Sequence, residues 1–403
     1  MYDVLIVGAG PSGLAAGIAC REHDLNVRII DEFPKPGGRL LGQLHEEPNG
    51  EWWNGIKETE LLVNRAKELN TEITCEISVY HIEKLENSFI THTNTGVIES
   101  KNVLIATGAA ETSAPIPGWT LPGVMSIGAA QVMTNVHRVR VGNKGVVVGV
   151  NVLSAAITRE LQLAGVDVHS MALPAKNLVT GNEALPDKVM ENLVRIAHLA
   201  PSAFIRFGSN FAKIPFIRKI VVQFFPKSGV KMWDMPIHLR KAITEINGTD
   251  KVESVTMATV SAQGDVIKGT EENIPVDFVC IAGGLYPLTE LAAVAGCPFE
   301  FVEELGGHVP IHNNEMETPV KGIYVSGNIT GIESAKVARA QGKVAGLSIA
   351  KAMNSSDQSI EAKLSAAVKD VQATRDSASI QFHPHINDGR TKINQSYNEA
   401  ISK

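Results

Sequence analysis

The sequence is poor in cysteine. Its 403 residues include only Cys20, Cys75, Cys280 and Cys297, and no two of them form a CxxC pair. A disulfide framework or a cysteine-based metal site is therefore not expected, and we predict no bound metal. Buried free thiols in a reducing cytoplasm are the simpler interpretation.

The sequence also lacks the marks of membrane-spanning and nucleic-acid-binding proteins. No apolar run reaches the roughly 20 residues of a membrane-spanning helix, and the first residues lack the cationic start of a secretory signal. The chain has 37 Lys and Arg against 43 Asp and Glu, a net charge of −6. Nucleic-acid-binding domains usually carry a basic face. We therefore expect a cytoplasmic protein with no transmembrane segment and no nucleic-acid partner.

Glycines, in contrast, are frequent at the ends of short apolar runs. The first run leads into Gly8, Gly10 and Gly13 and then a helical stretch, and the second run ends at Asp31. In such a strand–turn–helix–strand unit, Gly8 permits the tight turn and Gly10 lets the backbone approach a pyrophosphate. Gly13 lets the helix pack closely on the strand. The N–H groups at the helix start attract phosphate, and Asp31 can bind ribose hydroxyls.

The same unit recurs in altered form in the middle of the chain. The predicted strand Lys144–Val148 leads into Gly149, Asn151 and Ser154, which stand at the places of the three glycines. Asn151 puts a side chain where a pyrophosphate needs bare backbone, and the next strand, Val166–His169, ends without an acid for NAD or an arginine for NADP. Three interpretations stay open: a weak or altered NAD(P)H site, a remnant that only preserves the fold, and a site for another ligand.

Further motifs establish a family resemblance. Ala106-Thr107-Gly108 and Gly327-Asn328 each end an apolar strand, and Pro117–Gln131 contains two Pro-Gly pairs around Trp119. With these landmarks, the sequence resembles the two-dinucleotide-domain flavoproteins, the pyridine nucleotide–disulfide oxidoreductase superfamily. The stretch Gly118–Gln131 is similar to the flavin subunits of heteromeric amine and amino-acid dehydrogenases. These include dye-linked L-proline dehydrogenase, the large subunit of sarcosine oxidase, opine oxidases and hydrogen cyanide synthase.

The resemblance implies an α/β fold with two Rossmann-like dinucleotide-binding domains of the three-layer ββα type, the second inserted into the first. We expect the FAD-binding domain at residues 1–112, its return at 269–353, and an NAD(P)-binding-like domain at 113–268 between them. Residues 354–403 form a polar extension, which from about Ser377 is typical of a flexible tail or a partner-docking arm.

The resemblance also implies the residues that bind cofactors. Asp31 occupies the place of the ribose-binding acid, Val79 lies near the stretch that meets the adenine, and Asn328 replaces an aspartate that contacts the flavin side chain. The predicted FAD set is Gly8, Gly10, Pro11, Ser12, Gly13, Asp31, Glu32, Gly38, Arg39, Gln43, Val79, Ala106, Thr107, Gly108, Gly327 and Asn328. A nicotinamide site, if retained, would use Gly149, Asn151 and Ser154.

No catalytic residue is assigned from the sequence. Lys336 is a candidate, because its ammonium could stabilise negative charge on reduced flavin; the alternative is a solvated helix lysine. Another set follows the flavin segment and either lines a pocket beside the ring or forms a surface loop. Its members are His45, Glu46, Glu47, Trp52 and Trp53.

One segment combines basic and aromatic residues. Arg195–Glu245 carries nine Lys and Arg against Asp234 and Glu245. Its aromatic residues are Phe204, Phe207, Phe211, Phe216, Phe224, Phe225 and Trp233. This composition suits a docking face for a partner subunit or for an anionic membrane, which would place the protein at the membrane periphery. It is equally typical of a basic amphipathic cap on the second domain.

Together these features predict an FAD-dependent oxidoreductase that acts on a small-molecule substrate. It would be a flavin subunit, or a relative of one, that passes electrons between flavin and NAD(P)H or a second dehydrogenase subunit; a homo-oligomer is the other assembly considered. The alternatives are a stand-alone NAD(P)H:acceptor reductase and a flavin-bound, non-catalytic scaffold subunit. Without a CxxC motif a thiol relay is not expected, and no cysteine follows Cys297 to hold an iron–sulfur cluster.

Overall fold

The computed structural model describes residues 1–47, 50–196, 214–233, 235–354, 357–378 and 381–402. The chain divides into two compact units. Unit 1 comprises Met1–Gln43, Asn54–Ala110 and Leu285–Lys403, and unit 2 comprises Leu44–Trp53 and Glu111–Gly284. Unit 2 thus ends at Gly284, 16 residues beyond the expected residue 268. The reason is that two strands between residues 268 and 284 belong to the sheet of unit 2.

In chain order, the strands are β1 (Tyr2–Val7), β2 (Val27–Ile30), β3 (Leu44–Glu46), β4 (Trp52–Asn54), β5 (Glu72–Thr74), β6 (Val79–Lys84), β7 (Phe89–Thr93), β8 (Gly96–Ile105), β9 (Ala109–Glu111), β10 (Val124–Ser126), β11 (Lys144–Val148), β12 (Asp167–Pro174), β13 (Val230–Met232), β14 (Met235–Asn247), β15 (Ser254–Thr259), β16 (Glu272–Pro275), β17 (Phe278–Ile281), β18 (Leu285–Pro287), β19 (Phe299–Val302), β20 (Gly307–Pro310) and β21 (Ile323–Val325). The α-helices are α1 (Pro11–Arg21), α2 (Gly55–Glu68), α3 (Ile127–Asn135), α4 (Val152–Leu163), α5 (Pro186–Ile196), α6 (Pro215–Gln223), α7 (Glu290–Val294), α8 (Ala335–Met353), α9 (Gln358–Asp376) and α10 (Ile386–Ile401).

Unit 1 is built on a mixed sheet. Parallel strands follow the order β5-β2-β1-β8-β21, and β7 and β6 continue from β8 as an antiparallel meander. The central strands are continuous apolar runs, as expected for strands that are covered on both faces. Helices α1 and α8 share one apolar core with β1 and β2, which includes Leu14, Ile29 and Val344. The predicted α/β class is confirmed.

The C-terminal extension is helical and belongs to unit 1. Helix α9 contributes Ile360 and Leu364 to the core that also contains α8. Helix α10 buries Ile386 and Ile393 against a cluster that includes Leu305. Of the two alternatives for the end from about Ser377, the flexible tail is therefore wrong for the described residues 386–402, and the partner-docking arm stays a prediction. The signal missed was the spacing of apolar residues along an otherwise polar helix.

Unit 2 repeats the parallel architecture. Its sheet has the order β10-β17-β11-β12-β14-β15-β16, parallel from β10 to β14 and antiparallel beyond, and β13 pairs with β14. Helices α3 and α4 pack on it through a core that contains Ile127, Ile157 and Leu161. In both units, therefore, a nucleotide-type turn follows a central parallel strand, and the ends of neighbouring strands flank it.

Some of the predicted docking residues lie outside the described ranges. These are Phe204, Arg206, Phe207, Phe211, Lys213 and Asp234. Within the described ranges, no helix has the length and apolar character needed to cross a membrane.

Candidate functional site

The turn between β1 and α1 has the geometry that its glycines predict. Gly8 adopts φ +113°, and a Cβ added to it would lie 2.3 Å from the carbonyl oxygen of Ala106. A Cβ on Gly13 would lie 1.8 Å from the carbonyl oxygen of Gly8. Neither residue can carry a side chain without displacing backbone. Both glycines are therefore required by the packing of α1 against the sheet, whatever ligand is present.

Gly10 differs from its two neighbours, since its missing side chain faces open space. No described atom lies within 4 Å of a Cβ built on it, and its φ of −73° and ψ of −176° suit any residue. It is the N-cap of α1, and among the described residues no side chain caps that first turn. Gly38 lies beside it, with a built Cβ 3.3 Å from Gly10 Cα. This leaves a bare, positively polarised helix start, suited to a phosphate.

Asp31 holds the backbone of the glycine turn. Its carboxylate accepts hydrogen bonds from the backbone N–H of Ala9 at 2.6 Å and of Phe33 at 2.8 Å. Burial raises the pKa of Asp31, and these two hydrogen bonds oppose the rise. Asp31 thus fixes the glycine turn, whereas Glu32, the next predicted residue, has an exposed side chain. Of the two acids, Glu32 is the one whose side chain is exposed for a ligand hydroxyl.

The end of β8 closes this edge of unit 1. Thr107 donates its hydroxyl hydrogen bond to the carbonyl of Leu288 at 2.7 Å, and Leu288 N–H donates to Gly108 at 3.0 Å. Gly108 adopts φ +78°. Arg39 donates from Nε to the carbonyl of Ala109 at 3.0 Å. The predicted residues Arg39 and Ala106–Gly108 are therefore held at the carboxyl end of the same strand.

The end of β21 meets the start of α1. Ser326 and Ser12 share a hydrogen bond between their hydroxyls at 2.6 Å, and a Cβ on Gly327 would lie 2.9 Å from Ser12 Cβ. The N–H of Gly327 donates to the buried Gln341 side chain at 3.1 Å. Asn328 accepts from the N–H of Glu333 at 3.3 Å. Gln341 was missed by sequence reasoning, although a glutamine at a buried helix position was the available signal.

A buried ionic cluster lies next to this strand end. The Glu333 carboxylate accepts hydrogen bonds from Arg375 of α9 and Arg390 of α10, each at 2.5 Å. Although burial raises the pKa of Glu333, the guanidinium groups of Arg390 and Arg375 lower it below its usual value. Arg390 also donates to the carbonyl of Thr330 at 2.7 Å. The two C-terminal helices therefore clamp the loop that leads into α8, which the sequence did not predict.

Three remaining candidates occupy different places in unit 1. Lys336 is exposed in the first turn of α8. Gln43 ends the short turn after Gly38, and its carbonyl accepts the N–H of Gly55 at 2.9 Å. Val79 begins β6, which is antiparallel to β7. The structure brings the glycine turns and strand ends of unit 1 to one edge.

The corresponding turn of unit 2 begins in the same way. Gly149 adopts φ +110°, and its built Cβ would lie 2.2 Å from the carbonyl oxygen of Ala282, nearly as at Gly8. Asn151 then caps α4: its Oδ1 accepts the N–H of Ser154 at 2.9 Å, and its own N–H donates to Ser154 Oγ at 2.9 Å. Asn151 Nδ2 donates to Ala282 at 3.1 Å. The chain itself fills the position that is bare at Gly10.

The pocket candidates that follow the flavin segment belong to unit 2. Strands β3 and β4 pair there, and His45 and Trp53 stack with ring centroids 6.3 Å apart. The N–H of Leu44 donates to the buried carboxylate of Glu160 at 3.2 Å. Burial raises the pKa of Glu160 to about 7, against the opposing hydrogen bonds from Gln131, Leu44 and Asn135. Glu160 was also missed, since it is one acid on an ordinary amphipathic helix.

Comparison with known families agrees with the two turns. Residues 2–342 match the family described as pyridine nucleotide-disulphide oxidoreductase. The chain belongs to this family. As a member it is an FAD-dependent oxidoreductase, and NAD(P)H is the second cofactor of the family. The bare helix start at Gly10, the close approach of Gly38 and the exposed Glu32 fit a dinucleotide in unit 1.

The relatives include subunits of larger enzymes. An opine oxidase subunit of Agrobacterium tumefaciens is 27% identical over 86% of this chain and 65% of that protein. Hydrogen cyanide synthase subunit HcnB of Pseudomonas protegens is 23% identical over 86% of this chain and 69% of that protein. The chain therefore spans less than two thirds of the opine oxidase protein.

Solved structures share the fold. The L-proline dehydrogenase of P. horikoshii aligns with a TM-score of 0.63 and 22% identity, over 91% of this chain and 58% of that one. The thioredoxin reductase of Lactococcus lactis aligns with a TM-score of 0.62 and 18% identity, over 87% and 98%.

Three of the four cysteines, Cys20, Cys280 and Cys297, are buried. All four cysteines are described and none is disulfide-bonded. Burial raises the pKa of the Cys20 thiol to about 12 and that of Cys297 to about 11. An attacking thiol needs a thiolate near neutral pH. These buried thiols are therefore structural.

Proposed function

We propose that this chain is the flavin subunit of a heteromeric amine or amino-acid dehydrogenase. In this proposal unit 1 holds FAD, and the electrons are exchanged with an amine-type substrate or with a second subunit. The similarity to HcnB and to the opine oxidase protein supports its role as one subunit of a larger enzyme. The single observation behind the choice of electron partner is the turn of unit 2, in which Asn151 and Ser154 cap the helix start. This capped turn disfavours binding of NAD(P)H.

The argument from unit 2 rests on hydrogen-bond donors. A dinucleotide pyrophosphate binds the N–H groups of a helix start and needs the backbone within contact distance. In α4 the N–H of Ser154 already donates to Asn151, and the Asn151 side chain stands in the approach path. A pyrophosphate would have to break this hydrogen bond and also displace the Asn151 side chain. Breaking such a cap costs about 1 kcal/mol, and the displaced side chain still has to be accommodated.

Unit 1 would hold the cofactor with residues of its own. The turn at Gly10 and Ser12 would receive the pyrophosphate, and Glu32 the ribose hydroxyls, while Asp31 keeps the turn in shape. Gly38, Arg39 and the other members of the predicted set would line the remaining length. When bound, FAD supplies the electron-transfer chemistry. The protein residues bind and orient it, and Lys336 stays a candidate for stabilising its reduced form.

An anaerobic titration tests the choice of electron partner. The purified flavoprotein is titrated with NADH and with NADPH, and the visible flavin band is followed. We expect the band to persist while dithionite bleaches it. Bleaching by one equivalent of either nicotinamide would contradict the proposal and favour a stand-alone reductase. If neither amines nor a co-encoded subunit reduces the flavin, a scaffold role is supported instead.

A repair variant tests the cause. Asn151→Gly combined with Ser154→Gly removes the cap and restores the glycine pattern of unit 1 in unit 2. We expect weak nicotinamide binding to appear, measured by calorimetry with NADH and NADPH. The matched control is Asn135→Gly, which alters an amide in unit 2 outside the turn. Unchanged absence of binding in the repaired variant would show that the cap is not what excludes the nucleotide.

A further inference from the structure

Helix α6 in unit 2 directs a charged residue toward the protein and several apolar residues toward solvent. Arg218 is directed toward the protein, where it pairs with Asp187 at 3.0 Å and with Glu191 at 3.4 Å. Its side chain is only 11% exposed. Val222, one turn later, is buried in the core of unit 2. Because residues four apart share a helix face, this inward side is defined by both residues.

The opposite side is apolar and open. Phe216, Ile220 and Phe224 recur at four-residue intervals and are 73%, 44% and 80% exposed. Ile214 and Val221 widen the patch at 52% and 38% exposure. We call these five residues the α6 apolar face. Monomeric proteins rarely leave contiguous apolar patches in water unless the patch is an interaction site.

The sequence that contains α6 is rich in cationic residues. Residues 192–233 contain seven Lys and Arg and no Asp or Glu, in a chain whose net charge is −6. Three of these, Lys219, Lys227 and Lys231, are exposed in or just after α6. An apolar helix face bordered by lysines is complementary to a surface that has an apolar interior covered by an anionic outer layer. A bilayer that contains anionic lipids has this layered chemistry.

We propose that the α6 apolar face docks unit 2 on an anionic lipid bilayer, with α6 lying in the plane of the interface. A protein partner fits the face less well for two reasons. Nine helical residues span only about 14 Å, whereas a stable protein interface needs roughly 800 Å² on each side. Lysine is also depleted at protein interfaces, whereas this face has a rim of lysines.

The test is sedimentation of the full-length flavoprotein with lipid vesicles. One set contains phosphatidylcholine and phosphatidylglycerol in equal parts, and the other contains phosphatidylcholine alone. We expect binding to the anionic set that weakens with added salt. The double variant Phe216→Gln, Phe224→Gln should lower the partition coefficient more than tenfold, since both phenylalanine rings would leave water on binding. Each of Lys219→Gln, Lys227→Gln and Lys231→Gln should lower it about fivefold.

The controls separate docking from folding. Phe301→Gln removes an aromatic ring that is 57% exposed in unit 1, and it should leave binding unchanged. The flavin spectrum and far-ultraviolet circular dichroism check that each variant is folded. The proposal is overturned if the wild type ignores anionic vesicles or if the double variant binds as the wild type does. It is also overturned if the wild type is an oligomer that avoids vesicles and that the double variant dissociates, since the face would then bind protein.

Discussion

The contrast between Gly10 and Gly13 gives the sharpest prediction about the flavin site. Both are glycines of one turn, but a Cβ on Gly13 would lie 1.8 Å from the backbone oxygen of Gly8, whereas a Cβ on Gly10 meets no described atom within 4 Å. Gly13 is therefore constrained by the fold, and Gly10 only by what approaches it. Substituting each in turn separates loss of structure from loss of ligand.

We predict that Gly10→Val leaves the apoprotein folded. The extended φ and ψ of residue 10 accept a β-branched residue. Valine stabilises the protein by restricting the unfolded chain, and it destabilises the protein because it is a poorer N-cap than glycine; the two effects oppose each other. The free energy of unfolding should change by less than about 1 kcal/mol. FAD should bind far more weakly, because valine occupies the place of the pyrophosphate. Losing one hydrogen bond to a charged group costs roughly 1.5–3 kcal/mol, which raises the Kd roughly 10- to 150-fold.

Gly13→Ala should behave in the opposite order. Its methyl group overlaps the Gly8 carbonyl, so α1 must shift, at a cost of about 1–3 kcal/mol in the apoprotein. Urea unfolding of the deflavinated protein measures the free energy of unfolding, and fluorescence titration with FAD measures the Kd for FAD. A Gly10→Val protein that purifies yellow with full FAD affinity would refute the assignment of this turn. So would a Gly10→Val apoprotein as unstable as Gly13→Ala.

Three further substitutions test the surroundings of the site. Glu32→Gln should weaken FAD binding without changing stability, whereas Asp31→Asn should lower the unfolding free energy as well, because Asp31 holds the turn backbone; FAD titration and urea unfolding distinguish them. Arg390→Met should destabilise the protein by roughly 3–5 kcal/mol, since it leaves the buried Glu333 undercompensated; a loss below about 1 kcal/mol in urea unfolding would contradict the ionic clamp. Burial raises the pKa of Glu160 to about 7, so the native state holds this proton more tightly than the unfolded chain, and stability should fall as pH rises from about 4.5 to 7. Glu160→Gln should remove up to about 3 kcal/mol of that fall between about pH 4.5 and pH 7, and equal pH slopes in both proteins would disprove the shift.

Local patterns predicted the parts of this fold that depend on local geometry. The turn at Gly8 and the turn at Gly149 were placed correctly, because a positive φ and a close approach to a neighbouring strand leave only glycine at the first position. The buried parallel strands were also recognisable, since both of their faces are covered and their sequences are uniformly apolar. For the same reason the two-unit α/β class followed from the sequence.

Features that depend on distant partners were not predictable. Glu333 is paired with Arg390 across 57 residues, and nothing near either residue announces the other. The polarity of the C-terminal end indicated either a flexible tail or a docking arm, whereas Ile386 and Ile393 of α10 are buried against unit 1. The two backbone hydrogen bonds that Asp31 accepts from Ala9 and Phe33 were likewise not predicted. In each case the residue types were evident from the sequence, but the distant residues that they contact were not.

The two turns differ in how the start of the following helix is capped. A helix start that receives phosphate must leave its N–H groups uncapped, and this forgoes the stabilisation of about 1 kcal/mol that a capping residue gives. The start of α1 has Gly10 and lacks this stabilisation, whereas the start of α4 has Asn151 and Ser154 and gains it. Gly149 nevertheless keeps its positive φ, because the close approach to Ala282 is required by the sheet and not by a ligand. Packing leaves room for a side chain at Gly10, and Asn151 uses the corresponding room at α4 to cap the helix, as our proposal that unit 2 does not bind NAD(P)H requires.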